Sequence, residues 1–283
     1  IARNEEKAVN DQWQEKQILL NGRNHFVRWT SEDKVPLFLI HGFTDSGRYW
    51  SRLAADLENE FSIFMPDMLG HGQSDRLTGP VTLAKFAEQV VAIMNQFGVE
   101  SCHLCGHSMG GLIVSTLAVN YPDRVRSVVL EDPAWSLQGA EPPIFLSQFE
   151  RTRQWRTDHA VLRQASREEA RARNLVGKEG WHADDVDIHL DDRLAYDPMI
   201  FDWIDFGVGV QWQAQMSKIA VPMLLLSGEP ELGSIITAEM IEIFLAKAVR
   251  GETAVIPEAG HGLHREQYEA FREQMAAFLH KQR

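Results

Sequence analysis

The chain has 283 residues, 44% apolar and 24% charged, a composition that supports a sizeable buried core and argues against disorder. Its formal net charge of −12, from 28 basic and 40 acidic side chains, opposes contact with phosphate backbones and anionic lipid. Nucleic acid and a membrane are therefore not expected as partners; a small molecule is compatible with any net charge, because a local pocket can oppose the global sign, and oligomeric state is left open.

No apolar run approaches the roughly 18 residues of a membrane span, and the charged start, from Ile1 to Lys7, lacks the apolar stretch of a secretory signal. Cys102 and Cys105 are the only cysteines. A zinc site needs three or four matched ligands, and no second cysteine pair exists, so no metal is expected. In an apolar segment the two thiols read as small hydrophobes, and as reduced thiols they suggest a cytoplasmic setting.

In chain order, residues 17–20 and 25–29 form a predicted antiparallel hairpin across Asn21-Gly22. Short apolar runs follow at 35–40, 62–65, 102–105, 127–130, 222–226 and 253–256, each closed by turn residues. Helical spacing alternates with them: Leu83, Phe86, Val90, Ile93, Met94 and Phe97 mark residues 82–97 as a helix. Residues 109–120 are apolar nearly all round, which predicts a buried helix that Pro122 cannot continue. Residues 267–279 form a last amphipathic helix. The rhythm predicts an α/β fold: a mostly parallel sheet of about eight strands with helices on both faces.

Residues 134–212 break that rhythm. They are helical in composition, rich in arginine, and hold five of the eight tryptophans. We read them as a helical cap inserted into a core made of residues 1–133 and 213–283. Trp135, Trp155 and Trp203, with His107 from the core, are the expected substrate-pocket residues. Phe145, Phe149, Phe201 and Phe206 extend the aromatic set. Arg151, Arg153, Arg156, Arg163, Arg167, Arg171 and Arg173 either clamp a substrate carboxylate or form a solvated helix face.

Gly106-His107-Ser108-Met109-Gly110 lies between a predicted strand and a predicted helix. That context puts Ser108 on a sharp turn, with glycines where backbones approach closely and free helix N–H groups below it. A serine hydroxyl needs a base to become a nucleophile. Of eleven histidines, His261 follows the last strand in a glycine-flanked loop and reaches the same sheet edge. His264 is a competitor; His107, next to Ser108 in sequence, should point away from it. Two carboxylates end strands and qualify as the histidine's partner: Asp132 and Glu231. Phe43, after His41-Gly42, and Met109 offer backbone N–H groups for an oxyanion hole.

Together His41-Gly42-Phe43, Asp67-Met68-Leu69-Gly70-His71-Gly72-Gln73-Ser74, Gly106-His107-Ser108-Met109-Gly110-Gly111 and Gly260-His261 resemble the signatures of the α/β-hydrolase superfamily. The resemblance covers residues 35–133 and about 219 to the end. It implies that the Asp67 loop braces the oxyanion loop. Most relatives place the acid as aspartate where Glu231 stands here. A subset places it about two dozen residues past the nucleophile, which Asp132 matches and which favours it. A serine nucleophile implies acyl chemistry without metal or organic cofactor. Ester or lactone hydrolysis is the first expectation. Amide or C–C cleavage of a carboxylated ring-cleavage product is the second, and a non-catalytic ligand-binding relative the third.

Overall fold

A computed structural model describes residues 13–135, 149–178, 180–205 and 212–282; side chains of 149–153 and 205 lie outside the description. The strands are β1 (Gln14–Leu20), β2 (Arg23–Trp29), β3 (Val35–Ile40), β4 (Phe61–Pro66), β5 (Val81–Thr82), β6 (Cys102–His107), β7 (Val125–Glu131), β8 (Ile204–Asp205), β9 (Met223–Ser227) and β10 (Gly251–Val255). Eight of them form one sheet in the order β1-β2-β4-β3-β6-β7-β9-β10; β5 and β8 pair separately. The β1/β2 hairpin turns on Asn21 and Gly22, both at positive φ (51° and 77°), as a tight two-residue hairpin loop requires. From β4 through β10 the neighbours are parallel.

Strand alternation divides the core. Phe38, Ile40, Leu104, Val128, Leu130 and Leu225 face one apolar layer; Leu37, Leu39, Cys105, Val129, Leu224 and Leu226 face the other. Helices α1 (Ser51–Leu57) and α11 (Tyr268–His280) cover the second layer. Helices α2 (Leu83–Gln96), α3 (Met109–Asn120) and α9 (Ala238–Lys247) cover the first. In α3, ten residues from Met109 to Ala118 are buried, as the all-round apolar sequence predicts. Cys102 and Cys105 are buried on opposite sides of β6, and burial pushes both thiols up from their ordinary pKa.

Between β7 and β9 lie helices α4 (Phe149–Gln164), α5 (Arg167–Leu175), α6 (Ala183–Ala195), α7 (Ile200–Trp203) and, just before β9, α8 (Trp212–Met216). A capping box at Ser166 and Glu169 starts α5. Helix α6 docks on the core turn 47–50: Ser46 Oγ donates to Asp192 (2.6 Å), and Arg48 pairs with Asp191 (3.1 Å). The short helix α10 (Leu263–Glu266) precedes α11.

Candidate active site

The strand register collects the chemistry at one sheet edge. Ile40 pairs with Gly106, so Phe43 and Met109 each lie three residues beyond paired positions. His107 pairs with Glu131, which sets Ser108 beside Asp132. Ser108 N donates to Glu131 O (3.0 Å), and Asp132 N donates to Leu226 O (2.9 Å).

Ser108 has φ 52° and ψ −112°, a left-handed conformation strained for a side chain bearing Cβ. Packing holds it there. A Cβ on Gly110 would lie 2.1 Å from Ile40 O, and one on Gly106 would lie 2.3 Å from Gly110 O, so only glycine permits the turn.

His261 Nδ1 meets Asp132 Oδ2 at 2.5 Å. Asp132 also accepts from Ser234 Oγ (2.5 Å), Ile235 N (2.8 Å) and Ile236 N (3.3 Å). With Nδ1–H engaged by the carboxylate, Nε2 is the ring nitrogen left to accept a proton. The loop is clamped as well. Glu266 accepts from Gly260 N and from Gly262 N (3.0 Å), and His107 Nε2 donates to His261 O (3.0 Å). His107 is buried against Tyr49; burial, reinforced by His261 and His264, holds its pKa well below the ordinary value.

The competing residues sit elsewhere. Glu231 is exposed in the 3-10 turn Pro230–Leu232 and is not the carboxylate that meets His261. His264 is buried, with Nδ1 on Glu131 (2.9 Å) and Nε2 on Tyr49 O (3.1 Å).

Behind the site, Met68 N donates to His41 Nε2 (3.0 Å), and burial lowers the His41 pKa to about 3, so the ring stays neutral. Asp67 accepts from Gly47 N and Gln73 N, both at 2.7 Å, tying its loop to the segment after Phe43. Burial raises Asp67 to about 6.

Ser108 and His261 open on a cavity of about 260 Å³. Phe43, Tyr49, Trp155 and Trp181 form its aromatic walls; His107, His189 and Arg265 are among its polar ones. Two expected pocket residues, His107 and Trp155, are therefore present. Trp135 and Trp203 are corrections. Trp135 is 1% exposed and stacks on Trp212 (4.2 Å between centroids), in the core layer that holds Phe244. Trp203 packs on that same layer and is not among the residues that line the cavity.

None of the cap arginines whose side chains are described lines the cavity either. Arg156 pairs with Asp202 (2.6 Å), Arg171 with Asp187 (2.6 Å) and Arg167 with Asp191, while Arg163 and Arg173 are exposed. Phe145 and Phe206, and the side chains of Phe149, Arg151 and Arg153, lie outside the described residues.

Sequence reasoning missed the Ser234–Ile236 donors, the Glu266 clamp and Arg265. The one available signal was the proximity of Arg265 and Glu266 to His261.

A family model described as alpha/beta hydrolase fold matches residues 35–266. The chain belongs to the α/β-hydrolase family. Lipase LipV of Mycobacterium tuberculosis is 37% identical over 116 residues, 41% of this chain and 44% of that one. The first curated relatives are matched over about a quarter to less than half of their own length (26% to 44%). Naproxen esterase of Bacillus subtilis superposes with TM-score 0.74 at 21% identity, covering 95% of this chain and 92% of that one. N-formylmaleamic acid deformylase of Pseudomonas putida does so with TM-score 0.74 at 20% identity, covering 93% and 100%. Both structures share the fold. No helix among the described residues is long and apolar enough to cross a membrane.

Proposed function

We propose that this α/β-hydrolase family member is a serine hydrolase that cleaves a small carboxylic ester or lactone through an acyl-enzyme. The observation that carries the reading is His261 held on Asp132 beside a strained Ser108 at the mouth of an aromatic cavity.

In this mechanism His261 Nε2 takes the Ser108 proton as Oγ attacks the substrate carbonyl carbon. The carbonyl oxygen becomes an oxyanion, held by the N–H groups of Phe43 and Met109. Asp132 keeps the Nδ1–H tautomer and stabilises the imidazolium. Collapse breaks the bond to the leaving group, which departs with the proton from His261. Water, deprotonated by His261, then attacks the acyl-enzyme; the acid is released and Ser108 regains its proton. No step calls on a metal or organic cofactor. Residues 134–212 act as the cap, with α6 and Trp155 closing the cavity over Ser108 and a small molecule as the partner.

The lipase and esterase names among the relatives support acyl transfer. The cavity is smaller than the roughly 300–1,000 Å³ of drug-sized sites, which favours a compact acyl group. The test is turnover of p-nitrophenyl butyrate and a γ-lactone, with p-nitroanilide butyrate as the amide control. Ester or lactone turnover that Ser108→Ala abolishes supports the proposal. Preference for the anilide turns the reading to an amidase. Binding without turnover makes the chain a ligand-binding member of the family.

A further inference from the structure

Arg265 lines the same cavity as Ser108 and His261, yet its side chain is only 2% exposed. It stands four residues after His261, on α10. Its guanidinium lies between two aromatic faces, 4.0 Å from the Tyr49 centroid and 5.1 Å from that of Trp181. Nη1 donates to Asp45 Oδ1 (3.2 Å). Nε and Nη2 have no acceptor among the described residues.

Those two nitrogens share one edge of the guanidinium plane. Their parallel N–H bonds form the fork that fits both oxygens of a carboxylate. A buried donor pair left without an acceptor costs free energy, and two on one edge amount to a half-built site. The charge is secure: burial pushes the Arg265 pKa down, but Asp45, Tyr49, Asp185 and Asp192 outweigh it and hold the pKa above the ordinary value.

The neighbouring carboxylates do not take this edge. Asp45 is on Nη1, Asp192 on Ser46, and Glu266 on the Gly260 and Gly262 amides. Asp185 Oδ2 is itself unpartnered among the described residues. Both Arg265 nitrogens are shielded from solvent, so a ligand must part the side chains around them. Once there, it pairs in a water-poor setting where the attraction is strongest.

We infer that the Nε/Nη2 edge of Arg265 binds a carboxylate carried by the substrate, apart from the bond that is cleaved. The substrates are then acyl compounds with a free carboxylate, their carbon skeleton lying along the aromatic walls. The inference rests on the serine-hydrolase reading and names its substrate class. It also moves carboxylate recognition from the cap arginines to one arginine beside the base.

The test compares mono-p-nitrophenyl glutarate and adipate with their methyl-capped counterparts on the unaltered protein. For at least one chain length, kcat/KM should favour the free acid by about tenfold or more, mainly through KM. Arg265→Lys keeps the charge without the fork, and Arg265→Gln removes both; each should bring that ratio close to one. Equal rates on the unaltered protein, or a ratio that survives both substitutions, would overturn the inference.

Calorimetry on Ser108→Ala separates this inference from the catalytic reading, because it needs no turnover. Monomethyl glutarate should bind and dimethyl glutarate should not. Equal binding of the two overturns the carboxylate site even if the chain proves an active hydrolase. It also serves if the Arg265 variants fail to fold.

Discussion

His261 and Asp132, 129 residues apart in sequence, meet at 2.5 Å between Nδ1 and Oδ2. The contact joins the end of β7 to the loop after the edge strand β10, across the intervening strand β9. It also separates two carboxylates that the chain order alone leaves equivalent, because Glu231 is exposed on the turn after β9.

The first prediction follows from that contact. Asp132→Asn offers His261 an amide that can stabilise the wrong tautomer, and kcat should fall about 10³- to 10⁴-fold. Glu231→Gln should stay within about twofold, as surface substitutions do. Steady-state rates on one activated ester decide it; the reverse ranking would show that the resting contact is not the working one.

The second concerns the turn that carries Ser108. In Gly110→Ala the new methyl would lie 2.1 Å from Ile40 O and 2.8 Å from His41 O, both backbone atoms. Neither can rotate away, so overpacking should cost about 1–3 kcal/mol or more of stability. Urea unfolding measures this directly. A variant with unchanged midpoint would show that the β3 edge yields more easily than its register implies.

The third concerns Glu131, next to Asp132 but turned to the opposite side of the strand end. It is fully buried and accepts from both the backbone and Nδ1 of His264. Glu131→Ala leaves those donors buried without an acceptor, and loss of one partner of a buried pair costs about 3–5 kcal/mol. The expected result is a large drop in denaturant midpoint. A small one would mean that His264 is re-satisfied locally.

Much of the site was legible because glycine punctuation follows apolar runs. Ile40 and Gly106 pair near the ends of adjacent strands, so the turns after them had to share an edge, and Ser108, His261, Phe43 and Met109 could be placed from spacing. Side-chain direction was not legible. Trp135 is three residues from Asp132, yet it turns into the core against Trp212, and no local pattern distinguishes that from a cavity-facing ring. Arg265 was hidden for another reason. Its partner Asp45 is 220 residues away, and its unused edge exists only once Tyr49 and Trp181 flank it.

The fourth prediction uses Asp192, which joins α6 to the core. Burial, with Asp45 as a further repulsive charge, raises its pKa to about 7. The unfolded value is about 3.9, so between those limits the folded state binds more protons and this group's contribution to stability falls as pH rises. Asp192→Asn mimics the protonated form. Relative to the unaltered protein, the variant should gain stability between pH 5 and pH 8. Urea midpoints at the two pH values test the sign; a constant difference would contradict the assigned pKa.

The central claim is that Ser108 becomes covalently acylated. Its most direct test is intact-mass and peptide analysis after brief reaction with a fluorophosphonate or an activated ester. The account predicts one adduct per chain, mapped to Ser108, absent in Ser108→Ala and strongly slowed in His261→Ala. A folded protein that forms no adduct, or forms it at another residue, would contradict the account.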